Sequence, residues 1–135
     1  MPFISVTRLR LRSAWHLPRF IWLTIQAQIQ VRRSPGYIAA DYHRDRNLAF
    51  WTKTAWKDED SMRAFMGSGA HRKAMPVLKE MCDEASGMNW TQESAELPTW
   101  QEAHLRLQQG ARYVFVLQPS KNQLSGRSDP PRAQR

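Results

Sequence analysis

One histidine stands where its side chain could take part in catalysis. His71 follows the break Gly67-Ser68-Gly69 and shares a helical stripe with Ala74 and Leu78, so its imidazole is predicted to point inwards. An inward imidazole could act as a base near neutral pH or as an axial ligand to haem. The alternative is a core histidine bonded to a backbone carbonyl, and the sequence leaves both open.

The residues predicted to contact a ligand lie beside this histidine and on an aromatic strand. Arg72 could bind a carboxylate or a haem propionate, although a basic residue next to a helical histidine is often only solvated. The strand that begins near residue 49 has two alternating faces, and the sequence does not say which one lines a pocket. Trp51, Thr52 and Trp56 are therefore candidate ligand-binding residues, with core or interface packing as the alternative.

Motifs for other chemistries are missing from the sequence. His16, His43 and His104 have no metal-ligand spacing, so we expect no metal centre apart from haem iron on His71. No glycine-rich phosphate loop and no nucleophile elbow occur. The single cysteine, Cys82, excludes an internal disulfide and is expected to be a buried apolar residue. Lys53, a charge within a central strand, is expected to reach solvent at an end of the sheet.

Hydrophobic periodicity places these residues on a defined order of elements. Strands are predicted at 3–12, 37–44, 49–57, 88–91 and 113–117, and helices at 18–33, 59–66, 70–85 and 100–109. The leading part reads βαββαβ, which predicts an α+β, ferredoxin-like antiparallel sheet with its helices on one face. The other face would be open, and we expect a second copy of the chain to cover it as a homodimer.

The length of the chain and the distribution of its charge bear on its domain organisation and on nucleic acid as a partner. We predict one domain over residues 1–118, with an extension from about residue 97, and a flexible basic tail over residues 119–135. The net charge of +8 is typical of some nucleic-acid binders. Residues 112–135 hold five Lys or Arg against one Asp, which is half of that excess, so nucleic acid is not an expected partner.

Membrane insertion is not expected from this sequence. The longest apolar run, residues 20–29, is about half of the ~20 residues that a span requires and is broken by Gln26 and Gln28. Arg8, Arg10 and Arg12 interrupt the apolar segment that a signal peptide would need. We therefore expect a cytoplasmic protein with no membrane partner.

Several short runs resemble a known superfamily in their order and spacing. Ser34–Tyr37, Phe50–Thr52, Trp56–Glu59, Met62–Phe65 and Ser68–Met75 are similar to the antibiotic biosynthesis monooxygenase-like dimeric α+β barrels. Within that superfamily they are similar to the spheroidene monooxygenase-like proteins. The similarity spans about residues 3–96, and it implies a dimer in which each subunit has a cavity between its helices and its sheet.

The resemblance also implies a range of functions. Members include cofactor-free oxygenases of quinol-like aromatics, haem-using enzymes that hold haem through a histidine on the corresponding helix, and proteins without known activity. We therefore expect a monooxygenase-like protein that acts on or binds a small hydrophobic or aromatic molecule, with no cofactor or with haem on His71. The alternative is a dimeric ligand-binding or regulatory domain without turnover.

Overall fold

Within residues 1–131, which the structure describes, five antiparallel strands form the sheet of this computed structural model. The strands are β1 (Phe3–Leu11), β2 (Tyr37–Arg44), β3 (Ala49–Trp56), β4 (Cys82–Thr91) and β5 (Arg112–Tyr113). The helices are α1 (Leu17–Arg33), α2 (Glu59–Met66), α3 (Gly69–Met81), α4 (Trp100–Gly110) and α5 (Lys121–Ser125). The order β2-β3-β1-β4-β5 contains a ferredoxin-like βαββαβ unit, which confirms the predicted α+β class.

Local signals in the sequence account for several element boundaries. Pro18 occupies the first turn of α1, and Gly36 turns the chain into β2 with φ of 85°, a conformation that favours glycine. Asp58 caps α2 by accepting a hydrogen bond from the Ser61 amide at 2.8 Å. Thr99 caps α4 in the same way. These boundaries therefore need no tertiary contact to specify them.

The two faces of the sheet are covered by different helices. Helices α1, α2 and α3 pack on the face that carries Phe3, Leu11 and Trp56. Helix α4 covers the other face, where Trp51 and Trp90 lie in an apolar cluster. The face predicted to be open is therefore closed by the chain's own α4, because the C-terminal extension folds back over it. Self-association stays a prediction.

The region around β4 differs from the sequence prediction. The helix predicted over 70–85 ends at Met81, and Cys82 begins a ten-residue strand that includes the short strand predicted at 88–91. The cause is pairing with β1, which matches Phe3 to Thr91 at one end and Leu11 to Cys82 at the other. The strand predicted at 113–117 was also wrong in length, since β5 has only two residues.

The last described residues pack against β4. Ser120 donates a hydrogen bond to the Glu84 carboxylate at 2.8 Å, and the Gln123 amide oxygen accepts one from the Ala85 amide at 3.0 Å. The segment predicted as a flexible tail thus contains helix α5, and residues 132–135 lie outside the described residues. Among the helices of residues 1–131, none has both the length and the hydropathy needed to cross a membrane.

Candidate functional site

An apolar cavity lies between the sheet and helices α1, α2 and α3. Its main lobe has a volume of about 460 Å³, and an adjoining lobe of about 350 Å³ extends below α3 towards β4 and β5. These volumes fall in the range of small-molecule sites. The two lobes share six lining residues: Ser5, Thr7, Leu9, Met66, His71 and Leu78.

The floor of the cavity carries a row of hydroxyl groups. Ser5 and Thr7 of β1 lie directly opposite Thr54 and Thr52 of β3 in the strand register. Because side chains alternate along a strand, all four belong to the same face of the sheet, and all four line the main lobe. The floor can therefore offer hydrogen bonds within otherwise apolar walls.

His71 lies where the two lobes meet, in the first turn of α3. Its backbone amide donates to the Gln30 side-chain oxygen at 2.8 Å, and the Gln30 amide nitrogen donates to the Ser68 carbonyl at 2.7 Å. Its ring packs on Phe65 with 5.0 Å between the ring centroids. Helix α1 thus positions the start of α3, and with it the imidazole.

The protonation state of His71 follows from its contacts. Its Nδ1 lies 3.0 Å from the Met66 carbonyl oxygen, an acceptor only, so Nδ1 carries the hydrogen and Nε2 keeps the lone pair. Burial lowers the pKa of His71 from its ordinary 6.5 and outweighs the hydrogen bond to Met66, which raises it. The imidazole is therefore neutral at pH 7, with Nε2 able to accept a proton.

Two other predicted site residues share this cavity. Thr52 contributes to the hydroxyl floor, and Trp56 forms part of the wall. The Trp56 ring stacks on Phe65 at 5.3 Å, and its Nε1 donates to Thr54 Oγ1 at 2.9 Å. His71, Thr52 and Trp56 are thus brought together, although their predicted roles stay predictions.

Trp51 lines the main lobe but its ring packs on the other side of the sheet, whereas Arg72 and Lys53 lie outside the cavity lining. The Trp51 ring packs under α4, 6.3 Å from the Trp100 ring, and its Nε1 donates to Asp45 at 3.3 Å. Arg72 is exposed and outside the cavity lining. The expectation for Lys53 was wrong: it is 7% exposed, and its Nζ donates to the Pro98 carbonyl at 2.7 Å under α4.

A family model for antibiotic biosynthesis monooxygenases matches residues 4–77, which include β1 to β3 and most of α3. The chain belongs to this family. The match ends before β4, so the strand and helix that follow are outside it. No curated protein matches the sequence at the significance required.

Solved structures of the antibiotic biosynthesis monooxygenase fold are similar to this chain at low sequence identity. SnoaB, a cofactor-independent oxygenase from Streptomyces nogalater, is 16% identical with a TM-score of 0.58, over 69% of this chain and 94% of SnoaB. A conserved protein from Methanosarcina mazei Go1 is 17% identical with a TM-score of 0.62, over 69% and 94%. Rv0793 from Mycobacterium tuberculosis is 10% identical with a TM-score of 0.61, over 70% and 97%. These matches establish the fold, and the narrower spheroidene monooxygenase-like assignment stays a prediction.

The smaller lobe contains a polar strip that was not predicted from the sequence of this family member. With the Asn89 amide oriented by its neighbours, its nitrogen donates to Ser5 Oγ at 2.8 Å and its oxygen accepts from Arg112 Nη2 at 2.9 Å. Arg112 lines the smaller lobe from the C-terminal extension. Its position depends on the pairing of β5 with β4, for which the sequence contains no local signal.

The residues predicted to hold haem are not assembled in one place. His71 Nε2 has the donor chemistry of an axial ligand, but Arg72, the predicted partner of a propionate, does not line the cavity. In the described part of the chain, no three His, Cys, Asp or Glu side chains form a possible metal site.

Proposed function

We propose that this antibiotic biosynthesis monooxygenase family member binds a small aromatic molecule with an ionisable hydroxyl group and oxidises it without a bound cofactor. The observation that carries the proposal is the neutral His71 at the junction of the two lobes, with its lone pair on Nε2. A base of this kind is useful only against a group that it can deprotonate, such as a phenol or quinol. The cofactor-independent activity of SnoaB is consistent with it.

The chemistry needs only the substrate, oxygen and the base. His71 Nε2 takes the proton of the substrate hydroxyl, and the resulting anion is electron-rich enough to pass an electron to O₂. A carbon–oxygen bond then forms at the activated ring carbon. His71 returns its proton to give a ring C–OOH group, and loss of the hydrogen on that carbon as the O–O bond breaks leaves C=O and water. All four electrons that reduce O₂ come from the substrate.

The remaining lining residues would bind and orient the substrate. Phe20, Phe50 and Phe65 provide apolar and aromatic walls for a planar ring. The hydroxyls of Thr7 and Thr52 on the floor can bond to substrate oxygen atoms. Apolar walls also exclude water, which strengthens the attraction between the substrate anion and the protonated base.

The test compares His71→Gln with the wild type on a panel of phenols and quinols under ¹⁸O₂. We expect one ¹⁸O atom in the product of the wild type, and a rate reduced about 10²-fold or more in the variant. The matched control is His16→Gln, which changes a histidine outside the cavity and should leave the rate unaltered. The wild-type rate should fall in acid with a midpoint below 6.5, because protonation of His71 removes the base.

Two results would contradict the proposal. One is a His71→Gln variant that oxidises the panel as fast as the wild type. The other is binding of the panel, followed by a change in tryptophan fluorescence, with no oxygen uptake. The second result would favour the ligand-binding domain without turnover that the sequence left as the alternative.

A further inference from the structure

Helix α1 is apolar on its outward side as well as on its buried side. Trp22, Ile25 and Ile29 have exposed fractions of 60%, 45% and 49%, whereas Phe20 and Val31 on the opposite side are buried. Positions 22, 25 and 29 follow the i, i+3, i+7 spacing of a single helix face. We call Trp22, Ile25 and Ile29 the α1 stripe. Scattered exposed apolar residues are ordinary, but a continuous stripe that includes an exposed tryptophan indicates a binding surface.

The charged residues of α1 itself are all basic. The first 40 residues of the chain contain no Asp or Glu. Arg19 lies near the start of α1 and Arg32 and Arg33 at its end, and all three are exposed. The partner of this surface should therefore be apolar at its centre and anionic around it.

This charge pattern argues against a second copy of the chain as the partner. A symmetric contact between two α1 helices would bring Arg19, Arg32 and Arg33 of both copies to one interface, and α1 has no acid to offset them. Like charges held together at an interface are unfavourable. An anionic lipid surface supplies both of the required properties, because phosphate groups lie next to acyl chains.

The α1 stripe also adjoins the cavity. Ile25 belongs both to the stripe and to the lining of the main lobe, and Ile21, 42% exposed, lines that lobe as well. Trp15, in the turn before α1, is 91% exposed. A molecule dissolved in the acyl region would thus meet an apolar path from the surface of α1 into the cavity.

We propose that α1 docks the protein on an anionic membrane surface. The helix lies in the plane of the interface, with Trp22, Ile25 and Ile29 at the boundary between headgroups and acyl chains and the arginines against the lipid phosphates. Tryptophan and arginine are the residues typical of such helices. No membrane partner was expected from the sequence because it lacks an apolar segment long enough to span a membrane, but a helix that lies on the membrane surface needs no such segment.

The experiment is co-sedimentation of the full chain with vesicles of phosphatidylcholine alone and of equal parts phosphatidylcholine and phosphatidylglycerol. We expect binding to the anionic vesicles, with a blue shift of tryptophan fluorescence, and a loss of binding at high salt. Trp22→Ser/Ile29→Ser should weaken the partition coefficient at least about tenfold. Arg32→Gln/Arg33→Gln should weaken it about fivefold per arginine.

The matched control is Leu105→Ser/Leu124→Ser, which removes two apolar side chains that are at least half exposed and lie outside α1, and which should leave the partition coefficient unchanged. Circular dichroism checks that each variant keeps its helix content, and Ile29→Ser alone serves where the double variant unfolds. The proposal is overturned if anionic vesicles do not bind the wild type, or if the control weakens binding as much as the stripe variant. It is also overturned if light scattering shows a dimer that Trp22→Ser/Ile29→Ser converts to a monomer. None of these measurements depends on enzymatic turnover.

Discussion

Replacing Glu84 with Gln tests the buried ionic network that ties the C-terminal extension to the sheet. Its carboxylate accepts hydrogen bonds from Arg8 at 2.6 Å, Arg10 at 2.9 Å and Ser120 at 2.8 Å. The side chains of Arg8 and Glu84 are 3% and 2% exposed. Glu84→Gln keeps the size of the side chain and removes its charge, so the Arg8 guanidinium stays buried without a counter-ion.

The expected loss of stability is large because water cannot reach Arg8. Breaking one side of a buried ion pair costs about 3–5 kcal/mol, and we expect the lower end of that range because the Gln oxygen can still accept one hydrogen bond. Burial alone would raise the pKa of Glu84, but hydrogen bonds from Arg8, Ser120 and Arg10 hold it below its ordinary 4.5. The carboxylate therefore stabilises the fold above about pH 4.5, and this contribution is lost as the pH falls towards the lowered pKa.

Urea unfolding followed by tryptophan fluorescence measures the change. The matched control is Glu59→Gln, which breaks an ion pair with Arg63 of 2.7 Å in which both side chains are about half exposed or more. That pair contributes about 0.5 kcal/mol or less because solvent screens it. Glu84→Gln should also lose less stability than the wild type between pH 5 and 3. The reasoning is refuted if the two variants lose the same free energy of unfolding, or if Glu84→Gln loses less than about 1 kcal/mol.

Two further predictions concern the turn at Gly36 and the burial of the Cys82 thiol. Gly36→Ala should destabilise the protein by about 1–3 kcal/mol in thermal unfolding, because Gly36 has φ of 85° and an added Cβ would overlap Ser61. Gly67→Ala, where the new Cβ would lie 3.4 Å from the nearest carbonyl, should change it by less than about 1 kcal/mol, and equal losses would contradict the argument. Burial raises the pKa of Cys82 to about 12, so a maleimide at pH 8 should label this thiol only as fast as the protein unfolds. Rapid stoichiometric labelling of the folded protein, seen by mass spectrometry, would show that the thiol is accessible.

The elements from β1 to α2 could be predicted because short-range signals mark their ends. Pro18, Gly36 and Asp58 each act on the residues beside them: Pro18 lies in the first turn of α1, Gly36 turns the chain into β2, and Asp58 caps α2. Residues 82–87 could not be predicted in this way, since Cys82 and Ala85 also fit a helical stripe. Their strand conformation depends on β1, more than 70 residues away in the chain, through contacts such as that between Arg8 and Glu84.

The part of the candidate site that could be predicted is the part that follows from the helical spacing of α3. That spacing places His71 inwards, and the structure confirms this position while giving the ring a backbone acceptor, Met66. The face of β3 was not predictable, because Thr52 and Trp51 could each have faced the cavity. Trp51 packs under α4, which leaves Thr52 on the face of β3 that lines the cavity. The position of α4 depends on packing and not on any sequence motif. The position of Arg112 was not predictable either, because β5 has only two residues and so shows no alternation in the sequence.

The position of β1 in the sheet has a consequence for the way in which the chain folds during synthesis. β1 leaves the ribosome before the other strands, yet it pairs on one side with β3 and on the other with β4, so that Phe3 meets Trp56 and Thr91. Contacts between residues this far apart form slowly, because a long loop must close before they stabilise the chain. β1 of the nascent protein therefore has neither of its neighbours until β3 has emerged, and it lacks its second neighbour until β4 has emerged. Chaperone binding to this nascent segment would be strongest in that interval.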